Sequence, residues 1–369
     1  MKGAIFSASN STEEGIIDLL KQAMDKDCFQ AILMSVKVPA GDSFAYLLIQ
    51  DKLLLKNAYP LPPIMPVQGA RALSSVTRLG KASNKVAAIM RPCEIRAAIE
   101  LYKLGQINLE NVILISVDCP GVLPLSLYLE DPKKGTDVFE DVLKQWGNEY
   151  VRPACKVCNR FSLIAGDLHI GILGSDDGKL FLIANTTKGQ EILDTLGMSE
   201  ASVGSWKAKV KEISEKRAHK RNEFKKELKS KVGGLDNLLE TFSNCINCHN
   251  CMSACPICYC RQCYFESSKV KFPAEDYLMR AEKKGSIRFL PDTLLFHIGR
   301  MSHMTISCVS CGTCEDACPM SIPIAQIFGM VADETQRLFD YLPGRNIEES
   351  LPLITYKEEE LHEVEDTGE

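Results

Sequence analysis

Two short apolar runs, Lys85-Val-Ala-Ala-Ile-Met90 and Asn111-Val-Ile-Leu-Ile-Ser-Val117, are rich in β-branched residues and predict buried strands. Between them, Glu94 to Leu104 (EIRAAIELYKL) has helical spacing, so strand, helix and strand form a crossover unit. Each strand runs into a turn holding proline and cysteine, Arg91-Pro92-Cys93 and Asp118-Cys119-Pro120. Loops at strand C-termini are where such sheets place their chemistry. Residues 161–195 predict strands punctuated by Gly166, Gly171, Gly174 and Gly178. A long polar helix is predicted from about Ser199 to Lys231 and stopped by Gly233-Gly234. Beyond it, helical patterns cover Ala274 to Lys283 and Asp292 to Met304, the second with an apolar stripe of Leu294, Leu295, Ile298 and Met301. The pattern predicts an α/β (mixed α+β) core over residues 1–240, a helical module over 241–330 and a C-terminal extension over 331–369. From Glu358 to Glu369 that extension carries seven acidic residues in twelve and reads as a frayed tail.

Composition narrows the function classes. The chain has 369 residues, 45% of them apolar, enough for a sizeable core. A net charge of −5 argues against a nucleic-acid binder working by global charge. No apolar run reaches about 18 residues, so no membrane-spanning helix is expected. The opening MKGAIFSASNSTEEG lacks the apolar region and cleavage site of a secretory signal, and a cytoplasmic protein is expected. The anomaly is sixteen cysteines: Cys28, Cys93, Cys119, Cys155 and Cys158 within residues 1–244, and eleven more within 245–318. Without a secretory route, that density points to metal or redox chemistry rather than disulfides.

The eleven carry the strongest signal. Cys245-x2-Cys248-x2-Cys251-x3-Cys255-Pro256 recurs as Cys308-x2-Cys311-x2-Cys314-x3-Cys318-Pro319. Three thiolates on a tight loop face one [4Fe–4S] cube, and the fourth is displaced along the chain onto the other cube. The spacing therefore assigns Cys245, Cys248, Cys251 and Cys318 to one cluster, and Cys308, Cys311, Cys314 and Cys255 to a second. Paired Cys-x2-Cys motifs also bind zinc, but two full repeats ending in Cys-Pro favour cubes. Cys258, Cys260 and Cys263 follow the first repeat and are one thiol short of a cube. They either recruit a distant cysteine such as Cys28 or serve packing. His297 and His303 read as structural or surface residues. The basic helix, with eleven Lys/Arg against four Glu from Lys207 to Lys231, reads first as a solvated face and second as a dock for an acidic partner.

Arg152-Pro-Ala-Cys155-Lys-Val-Cys158-Asn159-Arg160-Phe161 leads into Gly166-Asp167-Leu168-His169-Ile170-Gly171-Ile172-Leu173-Gly174, then Thr186-Thr187-Lys188-Gly189. This string resembles the C-terminal core of the coenzyme F420 hydrogenase/dehydrogenase beta-subunit family. The Arg91-Pro92-Cys93-Glu94-Ile95-Arg96-Ala97 turn resembles that family's N-terminal part. Cys255-Pro-Ile-Cys-Tyr-Cys-Arg-Gln-Cys263 is similar to its formate dehydrogenase beta subunits. Asn159, Gly166 and Asn185-Thr186 depart from the family's aspartate, alanine and arginine-threonine.

The resemblance implies a flavoprotein of anaerobic metabolism, with an FAD that exchanges a hydride with a soluble deazaflavin and single electrons with the clusters. It implies that Gly171 and Gly174 line the flavin and that Asp167 accepts a hydrogen bond from it, although a turn-stabilising Asp167 explains the sequence equally well. Cys93, Cys119, Cys155 and Cys158 all sit in core loops and number four, so a third [4Fe–4S] cluster is expected beside the flavin, with buried unpaired thiols as the alternative. The function expected is an electron-transfer beta subunit working with a catalytic dehydrogenase or hydrogenase subunit. The alternative is a flavin-free relay feeding a heterodisulfide-reductase-like complex.

Overall fold

In the computed structural model, residues 3–7, 11–146, 149–175, 179–268, 270, 272–286 and 290–354 are described. The strands are β1 Gly3–Ser7, β2 Ala31–Lys37, β3 Phe44–Ile49, β4 Val86–Met90, β5 Val112–Val117, β6 Leu168–Gly171, β7 Lys179–Ala184 and β8 Glu200–Ala201. They form one sheet in the order β3-β2-β4-β5-β6-β7-β1-β8. Its centre, β2-β4-β5-β6, is parallel. The flanking pairs are antiparallel. The two runs singled out in the sequence are the central pair, with Val86 opposite Val112 and Met90 opposite Ser116. Both are buried throughout, which is why they read as continuous apolar runs rather than alternating ones.

The core helices are α1 Thr12–Asp25, α2 Gly69–Thr77, α3 Pro92–Lys103, α4 Leu125–Glu130, α5 Pro132–Gln145, α6 Pro153–Lys156, α7 Thr187–Leu196 and α8 Gly204–Val232. One face of the sheet packs Ile32 and Ile115 against Ile16 and Leu20 of α1 and Leu193 of α7. The other packs Leu33 and Leu114 against Leu73 of α2 and Ile95 and Ile99 of α3. Helix α3 starts where it does because Pro92 occupies its first turn and the Glu94 carboxylate accepts from the Arg91 N–H at 2.9 Å.

The stretch 161–195 corrects the sequence expectation of strands alone. It holds β6, β7 and then a helix, α7, while Asp176 to Gly178 lie outside the described residues. Thr186 caps α7 by accepting from the Gly189 N–H at 3.4 Å. Gly189 lets the helix rest on the sheet, since a Cβ there would lie 2.0 Å from the Asp167 carbonyl oxygen.

The helical module follows as α9 Leu235–Phe242, α10 Asn250–Ala254, α11 Ala274–Lys284, α12 Leu290–Met304, α13 Thr313–Asp316 and α14 Ile324–Leu338. Its core gathers Phe242, Met252, Ile257, Phe296, Ile324 and Phe328. Charge fixes the module onto the sheet domain. Arg221 of α8 donates twice to Asp333 of α14, both at 2.7 Å, and Lys225 joins at 2.6 Å. Asp316 of α13 accepts from the Leu125 N–H at 2.9 Å and pairs with Arg152 at 3.3 Å. The basic helix α8, expected mainly as a solvated face, is therefore also the brace between the two parts. The extension then returns to α3. Glu100 there accepts from the Tyr341 hydroxyl at 2.5 Å and the Gly344 N–H at 2.8 Å, and the Arg96 Nε donates to the Pro343 carbonyl at 2.8 Å. The acidic tail lies outside the described residues. Among the described residues, no helix is long and apolar enough to cross a membrane.

Candidate metal centres

Three groups of four cysteines come together. The first lies at the C-terminal ends of β4 and β5, where the chain turns through Arg91-Pro92-Cys93 into α3 and through Asp118-Cys119-Pro120. Those two turns meet Cys155 and Cys158 of the α6 segment, and Cys93, Cys119, Cys155 and Cys158 line one cavity. Gly121 makes the approach possible: at φ +122 its missing Cβ would stand 2.9 Å from Val151 Cγ1 and 3.1 Å from Cys155 Cβ. Burial pushes the Cys93 thiol well above its ordinary value, and it pushes Cys119 up to about 11 against the pull of Arg91.

The Cys119 turn is held from behind. Asp118 is fully buried; its Oδ1 lies 2.9 Å from His169 Nε2 and accepts from the Ser162 hydroxyl. Its Oδ2 accepts from the Ile172 N–H at 2.9 Å, the Leu173 N–H at 3.3 Å and Trp206 Nε1 at 2.9 Å. The other ring nitrogen of His169 sits 2.6 Å from the Ser116 hydroxyl. Burial alone would raise the Asp118 pKa, but the His169 charge and these donors outweigh it and hold the carboxyl below its usual range.

Four arginines line the same cavity: Arg91, Arg152, Arg160 and Arg217. Arg217 of α8 donates to the carbonyls of Cys158 and Pro120, both at 3.2 Å, and its guanidinium stands 4.6 Å from the centre of the Phe161 ring. None of the four was flagged by sequence pattern, because Arg91, Arg152 and Arg160 stand singly beside cysteines and Arg217 hides among eleven basic residues of α8.

The second group lies against the first. Cys255, Cys308, Cys311 and Cys314 line a cavity together with Met304 and Phe328. Ser310 and Cys311 line both cavities. The third group is Cys245, Cys248, Cys251 and Cys318. Burial pushes the Cys251 thiol up to about 11, Arg300 opposes, and Cys245, Cys318 and Cys248 are the like-charged neighbours that add to the rise. In both sets the fourth thiol comes from the other repeat.

The repeats also fold alike. Two residues after the first cysteine, Asn247 and Ser310 take left-handed backbone at φ 55 in both. Four residues after it, His249 and Gly312 do so again, at φ 60 and 82, just before α10 and α13 begin. Such turns wrap the chain around an inward-facing centre and aim backbone N–H groups at it.

Among the described residues, no three His, Cys, Asp or Glu side chains converge tightly enough for a single metal ion. A zinc ion, about 2.3 Å from each sulfur, needs that tightness. A cube spreads its four thiolates over separate corners.

Residues 241–322 match the 4Fe-4S dicluster domain, and residues 123–203 match the C terminus of the coenzyme F420 hydrogenase/dehydrogenase beta subunit. The F420-dependent formate dehydrogenase subunit beta of Methanocaldococcus jannaschii is 31% identical over 313 residues, 74% of this chain and 76% of the relative. The F420-dependent formate dehydrogenase 1 subunit beta of Methanococcus maripaludis is 32% identical over 300 residues, 70% of this chain and 73% of that one. This chain belongs to the coenzyme F420 hydrogenase/dehydrogenase beta-subunit family. A solved complex, the F420-reducing [NiFe] hydrogenase from Methanosarcina barkeri, contains a chain 15% identical with a TM-score of 0.48, over 64% of this beta subunit and 94% of that chain. The beta subunit is thus an iron–sulfur electron-transfer protein of oxidoreductase type.

The residues nominated for a flavin are placed elsewhere in this beta subunit. Asp167 spends both carboxylate oxygens on its own chain, accepting from the Leu114 N–H at 2.8 Å and the Thr186 hydroxyl at 2.6 Å. It is a clamp joining β5, β6 and the start of α7. A Cβ on Gly171 would lie 2.6 Å from Trp206 Nε1, and one on Gly174, at φ +67, 3.0 Å from the Ser205 carbonyl oxygen. Both glycines make room for the start of α8, and none of the three lines the cysteine cavity. All three residues are engaged by contacts within the chain.

The remaining thiols do not form a further set. Cys28 is buried in the sheet-domain core, whereas Cys258 and Cys263 pack in the helical module. Cys258 Sγ lies 2.9 Å from Met304 Sδ, Cys263 Sγ 3.9 Å from Met252 Sδ, and Cys260 is exposed. Of the histidines, His303 is exposed. His297 is buried, stacks on Phe242 at 4.1 Å and places Nε2 3.4 Å from Cys245 Sγ. Burial, with Arg300 and His249, lowers its pKa to about 3, so it stays neutral. Sequence reasoning missed Arg300, which is buried on α12 and donates to Cys251 Sγ at 3.0 Å.

Proposed function

We propose that this beta subunit holds three [4Fe–4S] cubes in a line and carries electrons between a catalytic metal-containing partner subunit and a soluble two-electron carrier or another redox complex. The reading rests on one observation above all: the four core cysteines line a cavity that shares Ser310 and Cys311 with the cavity of the second ferredoxin set. Cys93, Cys119, Cys155 and Cys158 would hold the core cube. Cys308, Cys311, Cys314 and Cys255 would hold the middle one, and Cys245, Cys248, Cys251 and Cys318 the outer one. Bound there, each cube supplies a reversible one-electron store.

The residues of the chain do the rest. The Asp118 network fixes the Cys119 turn. The Arg152–Asp316 pair fixes the distance between the core and middle sets, and Arg300 donates to Cys251 Sγ of the outer set and lies 3.9 Å from Cys258 Sγ, which belongs to neither set. The names of the two relatives support formate as the electron source and F420 as the carrier. One-electron cubes exchange with a two-electron carrier only through a two-electron centre such as an FAD, and that FAD is not assigned to Asp167, Gly171 or Gly174, whose surroundings are occupied within the chain.

The test is direct. The tagged beta subunit is purified anaerobically in its native complex, and formate or hydrogen is added while iron–sulfur absorbance is followed. Bleaching by one of them is the expected result. Full bleaching by dithionite with none by either substrate would contradict the assignment to a dehydrogenase or hydrogenase complex.

A further inference from the structure

Positive charge is distributed unevenly over the three cysteine sets. Arg91, Arg152, Arg160 and Arg217 reach the core cavity from three segments. Arg91 has Glu94 at 3.9 Å and Arg152 has Asp316 at 3.3 Å. Among the described residues, Arg160 and Arg217 pair with no carboxylate, and the polar contacts of Arg217 are carbonyls. A third acid, Asp118, stands behind Cys119, but its oxygens are taken up by His169, Ser162, Trp206 and two backbone N–H groups. Even with Asp118 counted, the cations outnumber the acids.

Four N–H groups of this cage are buried without an acceptor among the described residues: Nε of Arg91, Arg152 and Arg217 and Nη1 of Arg160. Buried cations with idle donors are costly unless an anion sits among them. By contrast, the outer set meets one buried guanidinium, Arg300, which has an idle Nε of its own, and the middle set meets Arg96, which donates to the Val309 carbonyl at 3.4 Å, and Arg152, which it shares with the core.

An all-thiolate cube is an anion, and reduction adds one more negative charge. Nearby buried cations stabilise the reduced form more than the oxidised one, because the low-dielectric interior screens them little. We propose that the arginine cage makes the cube held by Cys93, Cys119, Cys155 and Cys158 the most easily reduced of the three. The inference rests on the proposed core cube. The exchange it governs is one electron: the middle cube is oxidised, the core cube is reduced, and no bond or proton changes hands. Electrons entering from the helical module would therefore collect beside β4 and β5.

The test is a redox titration of the full-length anaerobic protein, followed by electron paramagnetic resonance, with the core signal assigned by its loss in C155S/C158S. The core cube is expected at the highest midpoint. Arg217→Gln should lower its reduction equilibrium constant about tenfold, which is about 59 mV for one electron, and leave the other two midpoints in place. Arg217→Lys should keep most of the wild-type midpoint. Arg160→Gln provides a second reading should Arg217→Gln impair assembly. A core midpoint below the other two, or one unmoved in iron-replete Arg217→Gln and Arg160→Gln, would overturn the inference while leaving the third cube standing. A wild-type chain showing only two cubes would overturn both together.

Discussion

Serine at both Cys155 and Cys158 should lower the iron content by about four per chain, the content of one cube, and leave the two ferredoxin-type cubes intact. The two residues are the only pair of the core set on one short segment, Cys155 ending in α6 and Cys158 just beyond it. Losing both leaves Cys93 and Cys119 unable to hold a cube. The middle set does not depend on them, since its thiols come from Cys255 and the second repeat. The variant should also be less stable, because the four-arginine cage loses the anion that balances it. Iron and sulfide analysis of anaerobic wild type and variant checks this, and unchanged iron would show that the core thiols hold no cube.

The second large effect belongs to Asp118. Asp118→Ala should cost about 3–5 kcal/mol, the usual cost of removing one partner from a buried charged network, a large share of a typical total of about 5–15 kcal/mol. The substitution strands the Ile172 and Leu173 N–H groups and Trp206 Nε1 without their acceptor. Chemical denaturation under anaerobic conditions measures the loss, and a change below about 1 kcal/mol would sink the claim that this network holds the Cys119 turn. The pH dependence has a definite sign. The folded pKa of Asp118 is depressed, so its contribution is present above the unfolded value of about 3.9 and is lost as pH falls through the lower folded value. Asp118→Asn should flatten that part of the acid limb and leave the neutral region flat.

Much of this was legible in the sequence for physical reasons. The strands β4 and β5 were readable because a parallel strand covered on both faces needs an uninterrupted apolar run. The ferredoxin sets were readable because a cube imposes a spacing on its ligands that little else explains. Helix α7 was missed because its signal is one capping threonine and one glycine, Thr186 and Gly189, and the same pair suits a turn between strands. The role of Gly171 and Gly174 was hidden for a related reason: the close approach they allow is made by Trp206 and Ser205 of α8, which lie more than thirty residues away along the chain. The arginine cage was invisible because its members come from three segments and only the fold brings them together. The brace role of α8 was hidden in the same way, since only Arg217, Arg221 and Lys225 among its many basic residues face partners in the core or in α14.

The central claim is a line of three cubes, and counting them is the most direct test. Mössbauer spectroscopy of anaerobically isolated or reconstituted full-length protein, with iron and sulfide determined on the same sample, gives the count. The structure predicts about twelve iron per chain, all in [4Fe–4S] environments. About eight iron, with Cys93, Cys119, Cys155 and Cys158 all open to thiol alkylation in the folded protein, would contradict it.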